Sequence, residues 1–281
     1  MKASVRQIIG CPACKEGLVD VAKGLSCPIC GRFYEIIGTV PILLTEERQK
    51  ALSAGFSTEE GLRMKKEYGS AGTFLSRLSP SVHYTVNCWK QVCEQKKNPY
   101  VLSVGGGPKR EHPILINLNI GNFPNVDIVG DAHELPIKSK VLDGIVCCAV
   151  LEHVERPWDV VREFQRVSGH GGYLYVETPF LQPLHAYPHD YFRFTIEGLR
   201  SLLSNFQELE SGVIIGPTTT LTVLMRKYME LIVPGRLFKK MIKVTFGAIA
   251  FPLNRLDLLL RRKKGIETLA GGVYFLGKNL A

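Results

Sequence analysis

The chain has 281 residues, 45% of them hydrophobic, and a formal net charge of +9. This length suffices for one sizeable α/β core with a small additional module, and the apolar content is that of an ordinary globular protein. The N-terminus has no apolar run of signal-peptide length and no segment reaches the ~18 apolar residues of a membrane span, so we expect a cytoplasmic protein with reduced thiols.

Two C-x-x-C pairs, CPAC and CPIC, lie within the first 45 residues. A pair of thiolates in a tight turn chelates one metal ion, and a second pair completes the tetrahedron of sulfurs that Zn²⁺ accepts at ~2.3 Å. Four cysteines leave no open position, so we expect a structural zinc ion that also supplies folding energy. Iron and two redox disulfides are the alternatives, and reduced thiols disfavour the disulfides. The predicted ligands are Cys11, Cys14, Cys27 and Cys30.

The residues that follow the second pair, CGRFYEIIGTVPILL, contain a Cys-Gly-Arg turn, a tyrosine strand, and a strand with proline that ends in leucines. Over about Gly10 to Leu44 the chain resembles the zinc ribbon of the small activator subunit of tRNA and protein methyltransferases. The resemblance implies a zinc ribbon over residues 1–45, and it bears on the fold of the ribbon more than on its function.

Residues 46–98 are predominantly polar and predict a helical linker. Within it, Ser81–Lys97 has apolar side chains that share one helical face, and Asn98-Pro99 ends the pattern. We therefore expect the main domain to begin at residue 99.

From residue 99 to 281, short apolar strands alternate with loops and helices. This pattern predicts an α/β fold with a doubly wound, mostly parallel sheet of the Rossmann-like type. Helices are expected at Pro157–Val167 and Thr195–Ser204. Nine residues, 105 to 113, separate the first two strands, too few for the usual crossover helix. The expected strands are Tyr100–Val104, Ile114–Asn119, Val126–Val129, Asp143–Cys148, Tyr173–Glu177, Phe206–Ile215 and Val273–Lys278.

Polar groups and glycines follow the first three of these strands. In a doubly wound sheet a ligand lies beyond the carboxyl ends of the strands, at the switch point beside the first strand. Gly105-Gly106-Gly107 occupies that point, where glycine allows close approach of the backbone and a positive φ. Asn119 ends the second strand, where cofactor sheets usually place an acid for the ribose hydroxyls. Asp131 follows the third strand and is suited to accept from an adenine amino group.

A longer stretch carries a specific resemblance. GDAHELPIKSKVLDGIVCCAVLEHVERPWDVVREFQRVSGHGGYLYVETP contains an Asp-Ala-x-x-Leu-Pro loop, an Asp that begins a strand leading into Leu-Glu-His-Val, and a helix that ends in Arg-Val-x-x-x-Gly-Gly. From about Tyr100 to Phe206 the chain resembles the Rossmann-like S-adenosylmethionine-dependent methyltransferases, in particular the broad group that includes quinone-biosynthesis enzymes. The resemblance implies S-adenosylmethionine as the cofactor.

Residue by residue, the resemblance implies that Gly105 and Gly107 line the methionine part of the cofactor and that the amide of Asn119 binds the ribose. It implies that the carboxylate of Asp131 and the backbone N–H of Ala132 bind the adenine. Val150 and Leu151 would form part of the floor of the site. Two positions depart from the family, because Ser103 and Asn119 stand where acids are usual. An amide binds hydroxyls without the charge assistance of a carboxylate, so we expect weaker cofactor binding or an altered site.

The segment TPFLQPLHAYPHDYFRFTIEGLRSLL follows the fifth strand, where a methyltransferase of this class builds its substrate side. A histidine there can accept a proton from a hydroxyl or amine as it attacks the methyl group. The alternatives are an aromatic lid with an Asp190–Arg193 ion pair, and a second metal site that no ligand spacing supports. His153, which follows the fourth strand, is also a candidate, with a hydrogen-bonded structural role as its alternative. The candidate catalytic residues are His153, His185, His189 and Asp190.

The net charge lies in one part of the chain. Met225 to Gly265 holds eleven Lys or Arg and two acids, and the remainder is neutral. Residues 217–272 form a helical insertion before the last strand, with Lys and Arg interleaved among apolar patches. Basic amphipathic helices lie on anionic membranes or cover lipid-like substrates. The alternatives are RNA binding, for which few aromatic side chains suited to stacking are present, and a plain helical cap over the sheet.

These features favour S-adenosylmethionine-dependent methyl transfer to a small-molecule or lipid- or saccharide-linked acceptor, by a cytoplasmic enzyme that is peripheral at the membrane. The first alternative is an rRNA or tRNA methyltransferase, because zinc-finger rRNA guanine methyltransferases also place a Cys-rich module before such a domain. The neutral body makes nucleic acid the less favoured partner. The second alternative is a non-catalytic methyltransferase-like scaffold or activator, in which Ser103 and Asn119 mark a decayed site.

Overall fold

The computed structural model describes residues 1–50, 96–106, 110–185 and 189–281. Eleven strands in these ranges join into one sheet. They are β1 Val19–Val21, β2 Gly24–Ser26, β3 Phe33–Ile37, β4 Val40–Leu43, β5 Val101–Val104, β6 Leu115–Asn119, β7 Ile128–Gly130, β8 Leu142–Cys148, β9 Ser168–Pro179, β10 Gln207–Ile215 and β11 Gly272–Lys278. Their order across the sheet is β1-β2-β3-β4-β7-β6-β5-β8-β9-β11-β10.

The helices pack outside this sheet or precede it. They are α1 Ala3–Ile8, α2 Pro157–Val167, α3 Ile196–Leu202, α4 Pro217–Ile232, α5 Arg236–Leu253 and α6 Leu256–Leu260, with 3₁₀ turns at Ala132–Glu134 and Ile266–Leu269. Helix α2 begins with Pro157 in its first turn and buries an apolar stripe against the sheet. Its bounds are those predicted from the sequence.

The strands at the centre of the sheet are parallel, and one strand near its end, β11, is antiparallel to its neighbours. β7, β6, β5, β8 and β9 run in the same direction, whereas β11 is antiparallel to both β9 and β10. β6 is buried along its whole length, as expected for a strand covered on both faces. This arrangement confirms the predicted doubly wound, mostly parallel Rossmann-like methyltransferase fold, and helices α4 to α6 form an insertion before the last strand.

The described residues between β5 and β6, and those between β6 and β7, contain no helix, as the short spacings predict. The predicted helix over Ser81–Lys97 falls outside the described residues except for Lys96 and Lys97, which are not helical.

β9 is much longer than the predicted Tyr173–Glu177, because its strand begins at Ser168 and includes the glycine run. Gly171 adopts a φ of +75° there. The side-chain amide of Asn279 donates to the Ser168 carbonyl at 3.0 Å, and the Gly171 N–H donates to the Asn279 carbonyl at 2.7 Å. These bonds hold the glycine run against the end of β11, so that it forms an irregular first part of β9.

The N-terminal ribbon continues the central sheet. β1 to β4 are joined by antiparallel pairing, and β4 then pairs in parallel with β7, with Ile42 opposite Val129. The Lys138 N–H also donates to the Ile8 carbonyl at 2.9 Å, which fastens α1 to the loop before β8. The ribbon therefore shares backbone hydrogen bonds with the main domain.

Candidate active site

The first strand of the main domain, β5, ends in a turn that requires glycine. Gly105 has a φ of +75°, and a Cβ on it would lie 2.3 Å from Cγ2 of Val150. A Cβ on Gly106 would lie 2.8 Å from Cγ of Asn117. The turn therefore presents backbone at the switch point of the sheet. Gly107, the other predicted glycine of this site, lies outside the described residues.

Asn119 ends β6 beside that turn and is 7% exposed. Its Nδ2 donates to the Gly106 carbonyl at 3.0 Å, and its Oδ1 accepts from the Gly121 N–H at 3.2 Å. The amide thus fixes the glycine turn to the neighbouring strand. The contact that the family resemblance assigns to it, with the ribose hydroxyls, stays a prediction.

Asp131 follows β7 at the same edge of the sheet and is 3% exposed. Its Oδ1 accepts from the His133 N–H at 2.8 Å, and its Oδ2 pairs with Nε of Arg48. Burial acts to raise the pKa of the Asp131 carboxyl, but the bonds from His133 and Arg48 outweigh it and hold the pKa at about 2. Both oxygens are therefore engaged within the protein. The predicted bond to an adenine amino group would share an oxygen with Arg48 or replace it, and Ala132 follows directly in the 3₁₀ turn.

β8 ends in a strained turn that connects two parts of the site. Ala149 has a φ of +54°, which is uncommon for a residue with a Cβ, and its N–H donates to the Glu177 carbonyl at 3.1 Å. The turn brings Val150 against Gly105 and points Glu152 into the protein. Leu151, predicted for the cofactor floor, is fully buried.

Three ionisable side chains meet beyond this turn. Oε1 of Glu152 lies 3.6 Å from Nε2 of His185 and 3.8 Å from Nε2 of His153. The two imidazole rings meet edge to face, with centroids 5.0 Å apart. Glu152 is 0% exposed, and neither of its carboxylate oxygens has a hydrogen-bond partner among the described residues. The adjacent Glu152 raises the pKa of His185 above its ordinary value.

The structure thus brings together two of the four predicted catalytic residues, His153 and His185, around Glu152, which the sequence interpretation missed. The signal lay in the Leu-Glu-His-Val motif, where Glu152 directly precedes His153. No sequence spacing relates this motif to His185, because the loop after β9 makes the contact.

His189 and Asp190 have other surroundings. The His189 ring is exposed and lies against Tyr191, whereas its carbonyl is 2.6 Å from Nδ1 of His153. Asp190 accepts from the His185 N–H at 2.8 Å and is paired with Arg193. Arg193 lowers the pKa of Asp190 to about 2. This is the structural ion pair that stands as the alternative in the sequence interpretation.

A cavity of ≈ 320 Å³ opens beside Glu152 and His185. The ends of β8, β9 and β10, the start of β11 and the first turns of α4 enclose it. This volume is at the lower end of the range for small-molecule sites. Its polar wall consists of Glu152, Glu177, Thr178, Gln182, His185, Thr219 and Thr220.

The four predicted zinc ligands also come together. The Sγ atoms of Cys11, Cys14, Cys27 and Cys30 all lie within 4.8 Å of one another. The nearest pairs, at 3.3 and 3.6 Å, join one C-x-x-C turn to the other and are far longer than a disulfide bond of ~2.05 Å. In each turn the residue four positions after the first cysteine, Lys15 or Gly31, has a positive φ. The cluster has the composition and the spacing of a closed structural zinc site.

Comparisons with known proteins agree with this description. Residues 113–176 match a family model described as a methyltransferase domain, a range that includes Asn119, Asp131 and the Leu-Glu-His-Val motif. This match supports an S-adenosylmethionine-dependent methyltransferase. No curated protein matches the chain.

Among solved structures, the [4+2]-cyclase SpnF is 15% identical, with 85% of this chain and 98% of that chain covered and a TM-score of 0.47. A complex of the Haloferax volcanii Trm112 methyltransferase activator with a putative methyltransferase is 14% identical, with 69% and 89% covered and a TM-score of 0.41. A SAM-dependent methyltransferase from Archaeoglobus fulgidus is 18% identical, with 79% and 100% covered and a TM-score of 0.42. With such low sequence identities and TM-scores, these similarities do not indicate the activity of this protein.

Proposed function

We propose that this protein transfers the methyl group of S-adenosylmethionine to a small-molecule or lipid- or saccharide-linked acceptor. One juxtaposition supports the proposal above all. Val150 contacts the glycine turn at Gly105, while its neighbour Ala149 lines the ≈ 320 Å³ cavity. The predicted cofactor site and the cavity thus adjoin across a single turn at the end of β8.

The groups at the ends of β5, β6 and β7 fit the cofactor by their chemistry. S-adenosylmethionine supplies an electrophilic methyl group when it is bound. The glycine turn offers backbone polar groups, Asn119 offers an amide for hydroxyls, and Asp131 offers a carboxylate for an amino group. Both side chains are nearly buried, which strengthens any hydrogen bond that they make.

On the acceptor side, His185 is placed to handle a proton. It lines the cavity, and its Nε2 faces the buried carboxylate of Glu152 at 3.6 Å. An acceptor hydroxyl or amine loses a proton as it is methylated, and an imidazole that takes up this proton becomes a cation. Glu152 would stabilise that cation, because an opposite charge nearby favours the charged form.

The basic insertion supports a lipid-linked acceptor and peripheral contact with an anionic membrane. Many of its large apolar side chains are more than half exposed, among them Leu221, Tyr228, Leu231, Leu237, Phe238, Met241, Leu258 and Leu259. If the insertion were only a helical cap over the sheet, these side chains would be buried against the sheet. The segment of the insertion from Met225 to Gly265 carries the net charge of the chain, and basic residues beside apolar ones suit an anionic lipid surface. In the described part of the chain, no helix combines the length and the apolar character needed to cross a bilayer.

The cavity and this exposed surface share one helix. Thr219, Thr220 and Val223 of α4 line the cavity, and Leu221, Leu224 and Met225 of the same helix are exposed. An acceptor held by a lipid tail at the membrane would therefore have its reactive end close to the cavity.

A non-catalytic scaffold or activator is the second candidate, and one observation favours it. Arg48 and His133 already engage both oxygens of Asp131, the group assigned to the adenine. In addition, Ser103 and Asn119 lack the carboxylates that usually hold this cofactor.

The deciding experiment has two arms. Calorimetry measures S-adenosylmethionine binding by the full chain, and turnover of methyl-labelled cofactor is followed against extracts separated into lipid, RNA, protein and small molecules. Label in the lipid or small-molecule fraction is expected. Label in RNA would support the nucleic-acid methyltransferase instead. Absence of binding at millimolar cofactor would support the scaffold.

A further inference from the structure

The cluster of Glu152, His153 and His185 has the features of a metal site distinct from the cysteine cluster. We propose that these three side chains bind one divalent first-row transition metal ion of the Zn²⁺, Fe²⁺ or Mn²⁺ type, with open coordination positions towards the cavity. Four observations on the residues themselves carry this inference.

The first observation is a buried carboxylate that lacks hydrogen bonds from the described residues. Glu152 is 0% exposed, and both of its oxygens lack hydrogen-bond partners in the part of the chain that the structure describes. Its contacts to the two imidazoles, 3.6 and 3.8 Å, are too long for hydrogen bonds. A buried carboxylate is costly unless a cation or hydrogen bonds compensate it. A bound metal ion supplies that compensation.

The second observation is the spacing of the ligand atoms. Oε1 of Glu152 and the ring nitrogens of both histidines all lie within 4.8 Å of one another. Ligands bound at ~2.1 Å are about 3.0 Å apart in an octahedral site and about 3.4 Å apart in a tetrahedral one. The observed 3.6 and 3.8 Å are only slightly longer, so small side-chain movements would complete the site.

The third observation is the orientation of the two rings. Nδ1 of His153 lies 2.6 Å from the His189 carbonyl, and Nδ1 of His185 lies 3.3 Å from the Pro183 carbonyl. A carbonyl oxygen only accepts, so Nδ1 of His153 carries the proton and its Nε2 has its lone pair towards Glu152. Nδ1 of His185 lies between an acceptor, the Pro183 carbonyl, and a donor, the Arg193 guanidinium at 3.5 Å, while its Nε2 faces Glu152. Histidines that bind metals are typically held in this way, with the other ring N–H donated to a carbonyl or carboxylate.

The fourth observation is access. Glu152 and His185 line the cavity, and the side chain of His185 is 31% exposed. Three protein ligands leave positions for water or for an oxygen of the acceptor, in contrast to the closed set of four cysteines. Two imidazoles and one carboxylate suit zinc, iron or manganese better than magnesium or calcium, which prefer oxygen ligands alone. With an ion bound, Nε2 of His185 would be a ligand and would no longer take up the acceptor proton. The ion would instead lower the pKa of an acceptor hydroxyl bound to it, and that hydroxyl would release its proton to solvent water.

Sequence spacing does not reveal this site. Glu152 and His153 are adjacent, and adjacent residues on a strand point to opposite faces. They converge because residues 151–153 form a turn after β8 rather than a strand. His185 arrives from the loop after β9, which Asp190 and Arg193 brace.

Metal content tests the proposal independently of methyl transfer. Untagged full-length protein, loaded with Zn²⁺ and then dialysed, is expected to hold about two equivalents, one at the cysteines and one at the new site. His185→Ala and Glu152→Gln should each reduce this to about one. His170→Ala is the matched control, because this exposed histidine lies at the opposite end of β9 and should leave two equivalents.

Cobalt substitution separates the two sites by their spectra. Co²⁺ at the cysteines gives thiolate charge-transfer absorption, and Co²⁺ at the new site should add ligand-field bands without it. His185→Ala should remove only those added bands. Both variants should fold, because Glu152→Gln preserves the shape of the buried side chain and His185 is partly exposed. Their circular dichroism spectra should therefore match that of the wild-type protein. Equal metal content and equal cobalt spectra for wild-type and His185→Ala protein would overturn the site, whether or not the protein methylates anything.

Discussion

Asp257 caps the N-terminus of helix α4 through Thr219, 38 residues away in the chain. Its Oδ2 accepts from both the N–H and the hydroxyl of Thr219, at 2.9 and 2.7 Å, and its Oδ1 accepts from the Thr218 N–H at 2.8 Å. The N-cap residue itself is Gly216, which has no side chain to offer, and a Cβ there would lie 2.4 Å from Cγ of Asp257. A carboxylate from α6 therefore takes the place of a local cap and ties the insertion together.

We expect Asp257→Ala to destabilise the protein by about 2 kcal/mol, because it removes a buried charged cap from three donors. Urea unfolding followed by fluorescence measures the change. Asp257→Asn keeps one acceptor oxygen and should lose less. An alanine variant as stable as the wild type would show that the cap contributes nothing.

Zinc removal should loosen the main sheet as well as the ribbon, because β4 pairs with β7. We expect Cys27→Ser to lose the zinc of the cysteine cluster and to speed hydrogen exchange at Leu43 and Gly130. Mass spectrometry of exchanged peptides measures this. Cys147→Ser, at a buried cysteine outside the cluster, is the control for loss of a thiol. Unchanged protection around Gly130 in the Cys27→Ser variant would contradict the coupling.

The glycine turn predicts a sharp effect on cofactor binding. Gly105→Ala combines a positive φ with a Cβ 2.3 Å from Val150, so the turn must move. We expect calorimetry to show S-adenosylmethionine binding weakened by at least about tenfold, since a shift of 1.4 kcal/mol suffices. Gly38→Ala is the matched control, because Gly38 has a φ of +63° and no atom of the described residues would lie within 4 Å of its Cβ. Equal affinity of wild-type and Gly105→Ala protein would refute the assignment of this turn to the cofactor.

Asp131 should stabilise the fold in a pH-dependent manner. Its pKa is about 2 in the folded chain, below the ordinary 3.8, so the stabilisation is complete above the ordinary value and is lost as the pH falls through about 2. We expect Asp131→Asn to cost about 2 kcal/mol at neutral pH and almost nothing near pH 2. Urea titrations across this range measure the difference. A difference independent of pH would contradict the stated cause.

The insertion predicts binding to anionic membranes. Changing Arg261, Arg262, Lys263 and Lys264 to Ser removes four charges beside exposed leucines, each worth ~1 kcal/mol on an anionic surface. Co-sedimentation should require anionic vesicles, decrease with salt, and largely disappear in this variant. Leu231→Ser and Leu259→Ser, at 82% and 75% exposed positions, should weaken binding without changing its salt dependence. Equal recovery with neutral and anionic vesicles would argue against the proposal.

Local features of the fold were predictable, and contacts between distant segments were not. Helix α2 has the bounds expected from its proline start and apolar periodicity. The cysteine spacing likewise predicted a cluster that the structure brings together. The parallel pairing of Ile42 with Val129 could not be predicted, because each segment has only the pattern of an apolar strand and nothing in it indicates its partner. Glu152 was missed for the same reason, since its role depends on His185, 33 residues further along the chain.

The pairing of β4 with β7 also protects the main domain from association with other chains. Without β4, the outer backbone of Ile128–Gly130 would be an open sheet edge, flanked by the buried β6. Open edges present unpaired N–H and C=O groups that recruit strands from neighbouring molecules. A protein shortened at residue 45, where composition suggests a clean boundary, should therefore aggregate, and an expression strategy for this protein should retain its first residues.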